Sequence, residues 1–180
     1  STVEDQMHVF WQKNRMAVYA ICAIVLLGIV GKGVWDYMAR QQELDVEKAY
    51  VAATTNDQLK TFIAAHPDHS LAGIAHVRMA DEAYTAGKSA DALAGYDKAI
   101  AVLKTGPLAT RAQLGRALSK IQAGKAAEGA TELKQLKDDQ NQLKAVRAEA
   151  AYQLASLAAD GGNAADAQKL VDELMKIDPA

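Results

Sequence analysis

Three histidines lie close together in the sequence and could in principle bind a metal ion. His66, His69 and His76 offer imidazole nitrogens, which are common ligands of Zn²⁺. Pro67 breaks any helix that would present the first two from one face, and the single cysteine, Cys22, lies far from them in an apolar stretch. We therefore expect these histidines to lie in a surface loop, with no metal bound.

Other catalytic chemistry finds little support in the residues present. Ser119 and Ser156 do not lie in a G-x-S-x-G turn, and neither has a histidine and a carboxylate at a suggestive spacing. The sequence lacks the G-x-x-x-x-G-K-[ST] and G-x-G-x-x-G loops that bind phosphates. Cys22 lies in an apolar run where a thiolate is disfavoured, so we interpret it as a packing residue. We expect neither enzymatic activity nor a cofactor.

The composition favours an all-α protein. The 180 residues include 37 alanines, only 6% aromatic residues and three prolines, and alanine has the highest helix propensity. A formal net charge of −2 without a basic patch argues against nucleic acid as a partner. One cysteine excludes an internal disulfide.

An apolar run near the N-terminus predicts a transmembrane helix. Residues 16–31 contain no polar side chain other than that of Tyr19, and extension to residue 35 gives a helix of about 30 Å, enough to cross a bilayer. Lys32 can extend its ammonium to the headgroups, and Trp11 and Trp35 suit the two interfaces. We therefore divide this part of the chain into a juxtamembrane segment, residues 1–15, and a transmembrane helix, residues 16–35.

The alternative to this anchor is a cleaved signal peptide, but no A-x-A-like site follows the apolar run. Orientation is not decided by charge, because Lys13 and Arg15 precede the run while Lys32, Arg40 and Lys48 follow it. Small residues along the helix would let another helix approach closely, with a purely lipid-facing anchor as the alternative. The predicted membrane-anchor and helix-contact residues are Trp11, Ala20, Ala23, Gly28, Gly31, Lys32 and Trp35.

The remaining chain repeats itself. Three windows align on Gly87, Gly124 and Gly162, which are 37 and 38 residues apart. We expect each glycine to end a helix in the left-handed conformation, and Ser89 and Asn163 to cap the helices that follow. We interpret residues 36–56 as a helical connector and residues 57–180 as a repeat domain, with about eight helices beyond the anchor stacked into a short solenoid.

The repeat pattern resembles the tetratricopeptide repeat. The first window fits it best, with small, aromatic and turn residues at Ala80, Tyr84, Gly87, Ala92 and Tyr96, although both spacings exceed the usual 34 residues. In such repeats the first helix of each pair lines a groove. The resemblance therefore implies a partner-binding groove formed by Val77, Arg78, Asp81, Tyr84, Arg111, Leu114, Leu118, Gln122, Tyr152, Gln153 and Ser156. The alternative for each of them is a core or ordinary surface position.

A single anchor followed by such repeats is similar to the YfgM-type ancillary subunits of the SecYEG translocon. The similarity lies in WQKNR from Trp11, WDY from Trp35 and the stretch HPDHSLAGIAHVRMA from His66. It implies a protein of the bacterial inner membrane with a cytoplasmic N-terminus and a periplasmic repeat domain. It also implies partners: translocon subunits, a membrane-tethered chaperone and emerging polypeptides.

The sequence therefore favours a non-catalytic, membrane-tethered protein–protein interaction module, an ancillary subunit of the translocon or of the periplasmic chaperone network. Its partners would be the bilayer and other membrane-protein subunits. The alternative is a structural accessory or assembly subunit of another bacterial membrane complex, in which the anchor would make the fixed contacts.

Overall fold

A computed structural model describes residues 2–179 of the chain. Within this range the protein consists of eight α-helices and has no β-strand, as the composition predicted. The helices are α1 (Thr2–Ala52), α2 (Asn56–Ala65), α3 (Ser70–Thr85), α4 (Ser89–Leu103), α5 (Pro107–Gln122), α6 (Ala126–Asp138), α7 (Lys144–Asp160) and α8 (Ala164–Ile177). The chain divides into two units between Val51 and Ala52.

The first unit is the single helix α1, which runs without interruption for 51 residues. At 1.5 Å per residue its length is about 76 Å. Its apolar part is long enough to cross a membrane, and none of that part is buried within the protein. Among the described residues, α1 is the one helix that meets these criteria of length and composition.

The number of helices beyond the anchor is smaller than the sequence suggested. Seven helices follow α1, where about eight were expected, and the expected helical connector is the continuation of α1 as far as Ala52. Residues 36–52 continue α1 directly, since they contain good helix formers and neither glycine nor proline. After a short loop, Thr55 caps α2 through a capping box with Gln58, whose backbone N–H donates to the Thr55 hydroxyl at 3.2 Å.

In the second unit, which contains α2 to α8, consecutive helices pack against each other. The first helices of successive pairs also touch, because α3 contacts α5 and α5 contacts α7. Two apolar clusters form where a helix pair meets the helix that follows. One contains Val77, Tyr96 and Ala112, and the other contains Leu133 and Ala150, each with further alanines and aliphatic residues.

The three turn glycines adopt the conformation that the repeat pattern predicted. Gly87, Gly124 and Gly162 have φ values of 75°, 83° and 78°. At Gly162 the glycine N–H donates to the carbonyl of Ala159 at 3.0 Å, and the next N–H donates to the carbonyl of Ala158 at 2.9 Å. The same two hydrogen bonds form at the other two glycines, so each turn is a Schellman motif.

Of the N-caps predicted at Ser89 and Asn163, the structure confirms the one at Asn163. The Asn163 side chain accepts a hydrogen bond from the backbone N–H of Asp166 at 3.2 Å, as expected. Ser89 does not cap α4, because Lys88 holds the N-cap position and makes no side-chain cap. The N-cap position comes directly after the turn glycine, Gly87, so it falls on Lys88, and Ser89 is already the first residue of α4.

The adjacent glycines after α7 provide a matched test of the turn. Gly162→Ala places a side chain at positive φ, and since nothing lies within 4 Å of its Cβ, the cost is conformational, about 1–2 kcal/mol. Gly161 has a φ of −79°, so Gly161→Ala should be neutral or slightly stabilising. Urea denaturation of both variants measures the difference. Equal effects would contradict a left-handed requirement at position 162.

Candidate functional site

The most distinctive site in the second unit is a pocket of about 410 Å³, here called the central pocket. Residues from four helices line it: three from α3, four from α5, and one each from α4 and α7. The lining consists of Asp81, Tyr84, Thr85, Tyr96, Arg111, Leu114, Gly115, Leu118 and Glu149. An apolar floor therefore lies beside three charged side chains.

The carboxylate of Asp81 organises the polar side of the central pocket. Its Oδ1 atom accepts a hydrogen bond from the Tyr96 hydroxyl and another from Arg111 Nη2 at 2.9 Å. Asp81 lies on α3, Tyr96 on α4 and Arg111 on α5, so one carboxylate oxygen connects three helices. Both side chains of the Arg111–Asp81 pair are partly exposed, so the pair contributes little stability by itself.

Tyr96 reaches Asp81 because Gly115 leaves room for its ring. A Cβ atom on Gly115 would lie 2.4 Å from Tyr96 Cζ, a distance that would force the ring to move. Burial raises the pKa of the Tyr96 phenol well above its usual value, and the hydrogen bond to Asp81 raises it further. The hydroxyl is therefore a permanent donor to the pocket's carboxylate at neutral pH.

Five of the predicted groove residues line the central pocket: Asp81, Tyr84, Arg111, Leu114 and Leu118. The structure brings these residues together from sequence positions up to 37 apart.

The other predicted groove residues lie around the pocket or away from it. Gln122 is exposed and donates through Nε2 to the Tyr84 carbonyl at 3.2 Å. Gln153 donates to Glu149, a pocket-lining residue, at 2.7 Å. Val77 is buried in the apolar cluster between α3 and α4, so it is a core residue and not part of an open groove. The remaining three, Arg78, Tyr152 and Ser156, are exposed.

Of the other four pocket residues, Glu149 lies on α7, a helix predicted to line the groove, and the remaining three are Thr85, Tyr96 and Gly115. Tyr96 was identified from the sequence as the aromatic position of the repeat pattern, whereas Gly115 and Thr85 were not assigned a role. The alignment places Tyr96 on the second helix of its pair, which in tetratricopeptide repeats lies away from the groove. The missing side chain at Gly115, on the first helix of the next pair, leaves room for the Tyr96 ring to reach the pocket.

A larger cleft of about 640 Å³ lies between α2, α3 and α4. Its lining includes Lys60, Lys88 and Lys98 together with Glu82 and Asp91. His76 also lines the cleft, and its pKa is lowered by burial and by repulsion from Lys98, so the imidazole is neutral at pH 7. The cleft therefore carries charges of both signs.

The histidines make local structural contacts. The Nδ1 atom of His69 accepts the backbone N–H of Leu71 at 3.0 Å and so caps α3. His66 ends α2, and its ring packs against Phe62 at a centroid distance of 5.2 Å. Within residues 2–179, no three His, Cys, Asp or Glu side chains are grouped as metal ligands would be.

The predicted anchor residues all lie on α1 and all are exposed: Trp11, Ala20, Ala23, Gly28, Gly31, Lys32 and Trp35. The Trp11 ring meets the Tyr19 ring edge-on, with centroids 5.7 Å apart. A Cβ atom on Gly28 or Gly31 would meet nothing within 4 Å. The small side chains at these positions would let another helix approach the α1 backbone closely.

Taken together, these features define an all-helical protein with one helix apolar and long enough to span a membrane and with a helical unit that carries a mixed polar and apolar pocket. No family model matches the sequence, and comparison with curated proteins finds no significant match.

Proposed function

We propose that the protein is a non-catalytic, membrane-tethered protein–protein interaction module. The observation that carries this proposal is the central pocket, in which Leu114 and Leu118 form an apolar floor beside the Asp81–Arg111 pair. Such a combination suits an extended segment of a partner protein, which needs apolar contact area and a few fixed polar groups.

The helical unit is proposed to be a short tetratricopeptide-like solenoid. Three helix pairs turn at Gly87, Gly124 and Gly162, and each pair packs mainly on the next. The contacts from α3 to α5 and from α5 to α7 are those expected when the first helices of successive pairs stack side by side. The central pocket then lies on the face that these first helices share.

The anchor supports the membrane part of the proposal. Tethering would confine the pocket to the neighbourhood of a membrane complex and so raise the occupancy of weak contacts. The similarity to YfgM-type subunits suggests that this complex is the bacterial protein translocon of the inner membrane. In that arrangement the N-terminus is cytoplasmic, the helical unit is periplasmic, and a tethered chaperone and emerging polypeptides are the partners.

Photo-cross-linking from membranes tests the proposal. A photo-reactive residue replaces Tyr84 in the central pocket, and the matched control replaces Leu108, which is exposed on α5 outside the pocket lining. We expect cross-links to translocon subunits, a chaperone or emerging chains from position 84 only. Arg111→Glu, which places a second carboxylate beside Asp81, should reduce their yield severalfold.

A second candidate is a structural accessory subunit of another membrane complex, in which the small residues Gly28 and Gly31 of α1 would let another helix approach closely. A photo-reactive residue at position 28 distinguishes it. Strong cross-links from position 28 to one unrelated complex, with none from position 84, would refute the pocket as the working surface and support this alternative.

A further inference from the structure

The three helix pairs can be compared position by position, because their turn glycines fix the alignment. Nine residues after each glycine stand Tyr96, Leu133 and Val171, of which the first two are 1% and 0% exposed while Val171 is 39% exposed. Ten residues before each glycine stand Val77, Leu114 and Tyr152, which are 7%, 9% and 57% exposed. The same two positions are therefore buried in the first two pairs and open in the third.

The cause of this difference is the helix that follows each pair. α5 covers the first pair by placing Ala112 in the cluster with Val77 and Tyr96. α7 covers the second pair by placing Ala150 in the cluster with Leu114 and Leu133. Both alanines are fully buried, and they occupy equivalent positions, twelve residues before the glycines of their own pairs.

No described helix covers the third pair in this way. α8 has no buried residue, although its apolar positions are arranged along one side of the helix. Met175 is equivalent in the alignment to Lys137 of the second pair. Lys137 is buried and forms a salt bridge with Glu173 of α8, whereas Met175 is exposed. We define the α7–α8 end face as Tyr152, Val171, Asp172 and Met175.

We propose that the α7–α8 end face binds one helix of a partner protein that carries a small residue and, one turn later, a basic residue. The small residue follows from Ala112 and Ala150, which fill this place in the first two pairs. The basic residue follows from charge. In the first pair Asp97 forms a salt bridge of 3.3 Å with Arg116, four residues after Ala112, and Asp172 is the equivalent of Asp97 in the third pair.

The second pair supports this relation by contrast. Its equivalent of Asp97 is Lys134, and the residue of α7 equivalent to Arg116 is Leu154; both line the same cleft. The covering helix thus has a cation where the pair offers a carboxylate and an apolar side chain where the pair offers a lysine. Asp172 restores the carboxylate in the third pair, so the complementary residue is again Arg or Lys.

A second copy of the chain fits this face less well than a partner helix does. A symmetric pairing would bring two Asp172 carboxylates to one interface, where like charges repel. It would also oppose Tyr152, Val171 and Met175 to their own copies, which are large side chains where α5 and α7 each place an alanine. This proposal does not depend on what occupies the central pocket.

The test uses the full chain in detergent micelles and a fluorescent synthetic peptide with the sequence of α5, residues 107–122. This probe carries the small residue Ala112 and the basic residue Arg116 at the required spacing. We expect saturable binding, measured by fluorescence anisotropy. Val171→Glu should abolish it, and Leu108→Glu, the same kind of change at an exposed apolar position outside the face, should leave it unchanged.

Charge exchange identifies the predicted contact. Asp172→Lys should weaken binding of the peptide about fivefold to tenfold, and a peptide with Arg116→Glu should bind this variant better than it binds the natural chain. A peptide with Ala112→Leu should bind poorly to both, because the site accepts only a small side chain. Recovery by charge exchange cannot come from misfolding of the variant.

Three results would overturn the proposal: no saturable binding of the peptide, binding that survives Val171→Glu, or a dimer of the full chain that Val171→Glu dissociates. The last, detected by light scattering, would assign the face to a second copy. Cross-linking from Tyr84 tests a different surface, so failure there and failure here are separate results.

Discussion

Tyr96→Ala is expected to lower the free energy of unfolding of the helical unit by about 3–5 kcal/mol, the usual loss when a large buried aromatic side chain is removed. Tyr96 is among the largest fully buried side chains of the described residues, and its ring fills the space that Gly115 leaves open. The truncation would leave a cavity between α4 and α5 and would remove one donor to Asp81.

Tyr96→Phe is the matched control, because it keeps the ring and removes only the hydroxyl. Its expected cost is about 1 kcal/mol, the net contribution of one hydrogen bond, since Arg111 still donates to Asp81. Urea denaturation of the full chain in detergent, followed by circular dichroism, measures both variants. A phenylalanine variant as unstable as the alanine variant would contradict packing as the main contribution of Tyr96.

The natural protein and the Tyr96→Phe variant should also differ in how their stability depends on pH. The pKa of Tyr96 is raised in the folded state, by burial first and then by Asp81, so the folded phenol keeps its proton when the unfolded phenol loses it. The contribution of Tyr96 to the free energy of unfolding is therefore complete below about pH 10, the pKa of the phenol in the unfolded chain. It decreases as the pH rises further. Tyr96→Phe lacks this loss. Parallel stability curves for the two proteins between pH 9 and 11 would refute the assignment.

The sequence predicted the helix ends at the three turn glycines, which depend on local chemistry. A glycine at the end of a helical pattern specifies a left-handed turn by itself, and Gly87, Gly124 and Gly162 all form such turns. Pro107 begins α5 for a similarly local reason, because its fixed φ suits a first helical turn. The apolar run of α1 was also evident, because length and composition are sufficient to recognise it.

Features that depend on neighbours distant in sequence were not predicted. The Tyr96–Asp81 bond joins residues 15 apart, and the Arg111–Asp81 pair joins residues 30 apart, so no local pattern specifies either. Val77 was placed in a groove because the repeat pattern assigns a helix and not a side-chain direction. Its burial against Tyr96 depends on how α3 and α4 meet.

The end face shows how the repeat pattern and the structure complement each other. In the alignment Val171 occupies the same position as Tyr96 and Leu133, nine residues after the turn glycine. The alignment alone therefore predicts that Val171 is a core residue. Only the structure shows that the covering helix present in the first two pairs is missing from the third among the described residues. The exposure of Val171 is informative because the equivalent residues of the first two pairs are covered by Ala112 and Ala150.

The largest functional effect is expected from charges in the middle of α1. Val25 and Leu26 lie at the centre of the predicted span of residues 16–35, and each arginine placed there costs about 2.5–3.5 kcal/mol of insertion free energy. We expect the double variant Val25→Arg, Leu26→Arg to be lost from the alkaline-washed membrane pellet, where the natural protein is retained.

The matched control places the same two charges on the same helix beyond the span. Gln41→Arg, Gln42→Arg adds two arginines to an exposed part of α1 and should leave the membrane fraction unchanged. The comparison separates loss of apolar character at the bilayer centre from any general effect of two added charges. Retention of the Val25→Arg, Leu26→Arg variant would mean that contacts outside α1 hold the protein at the membrane. The tethering mechanism would then have to be replaced by binding to a resident membrane complex, because effective concentration near the bilayer would no longer depend on this helix.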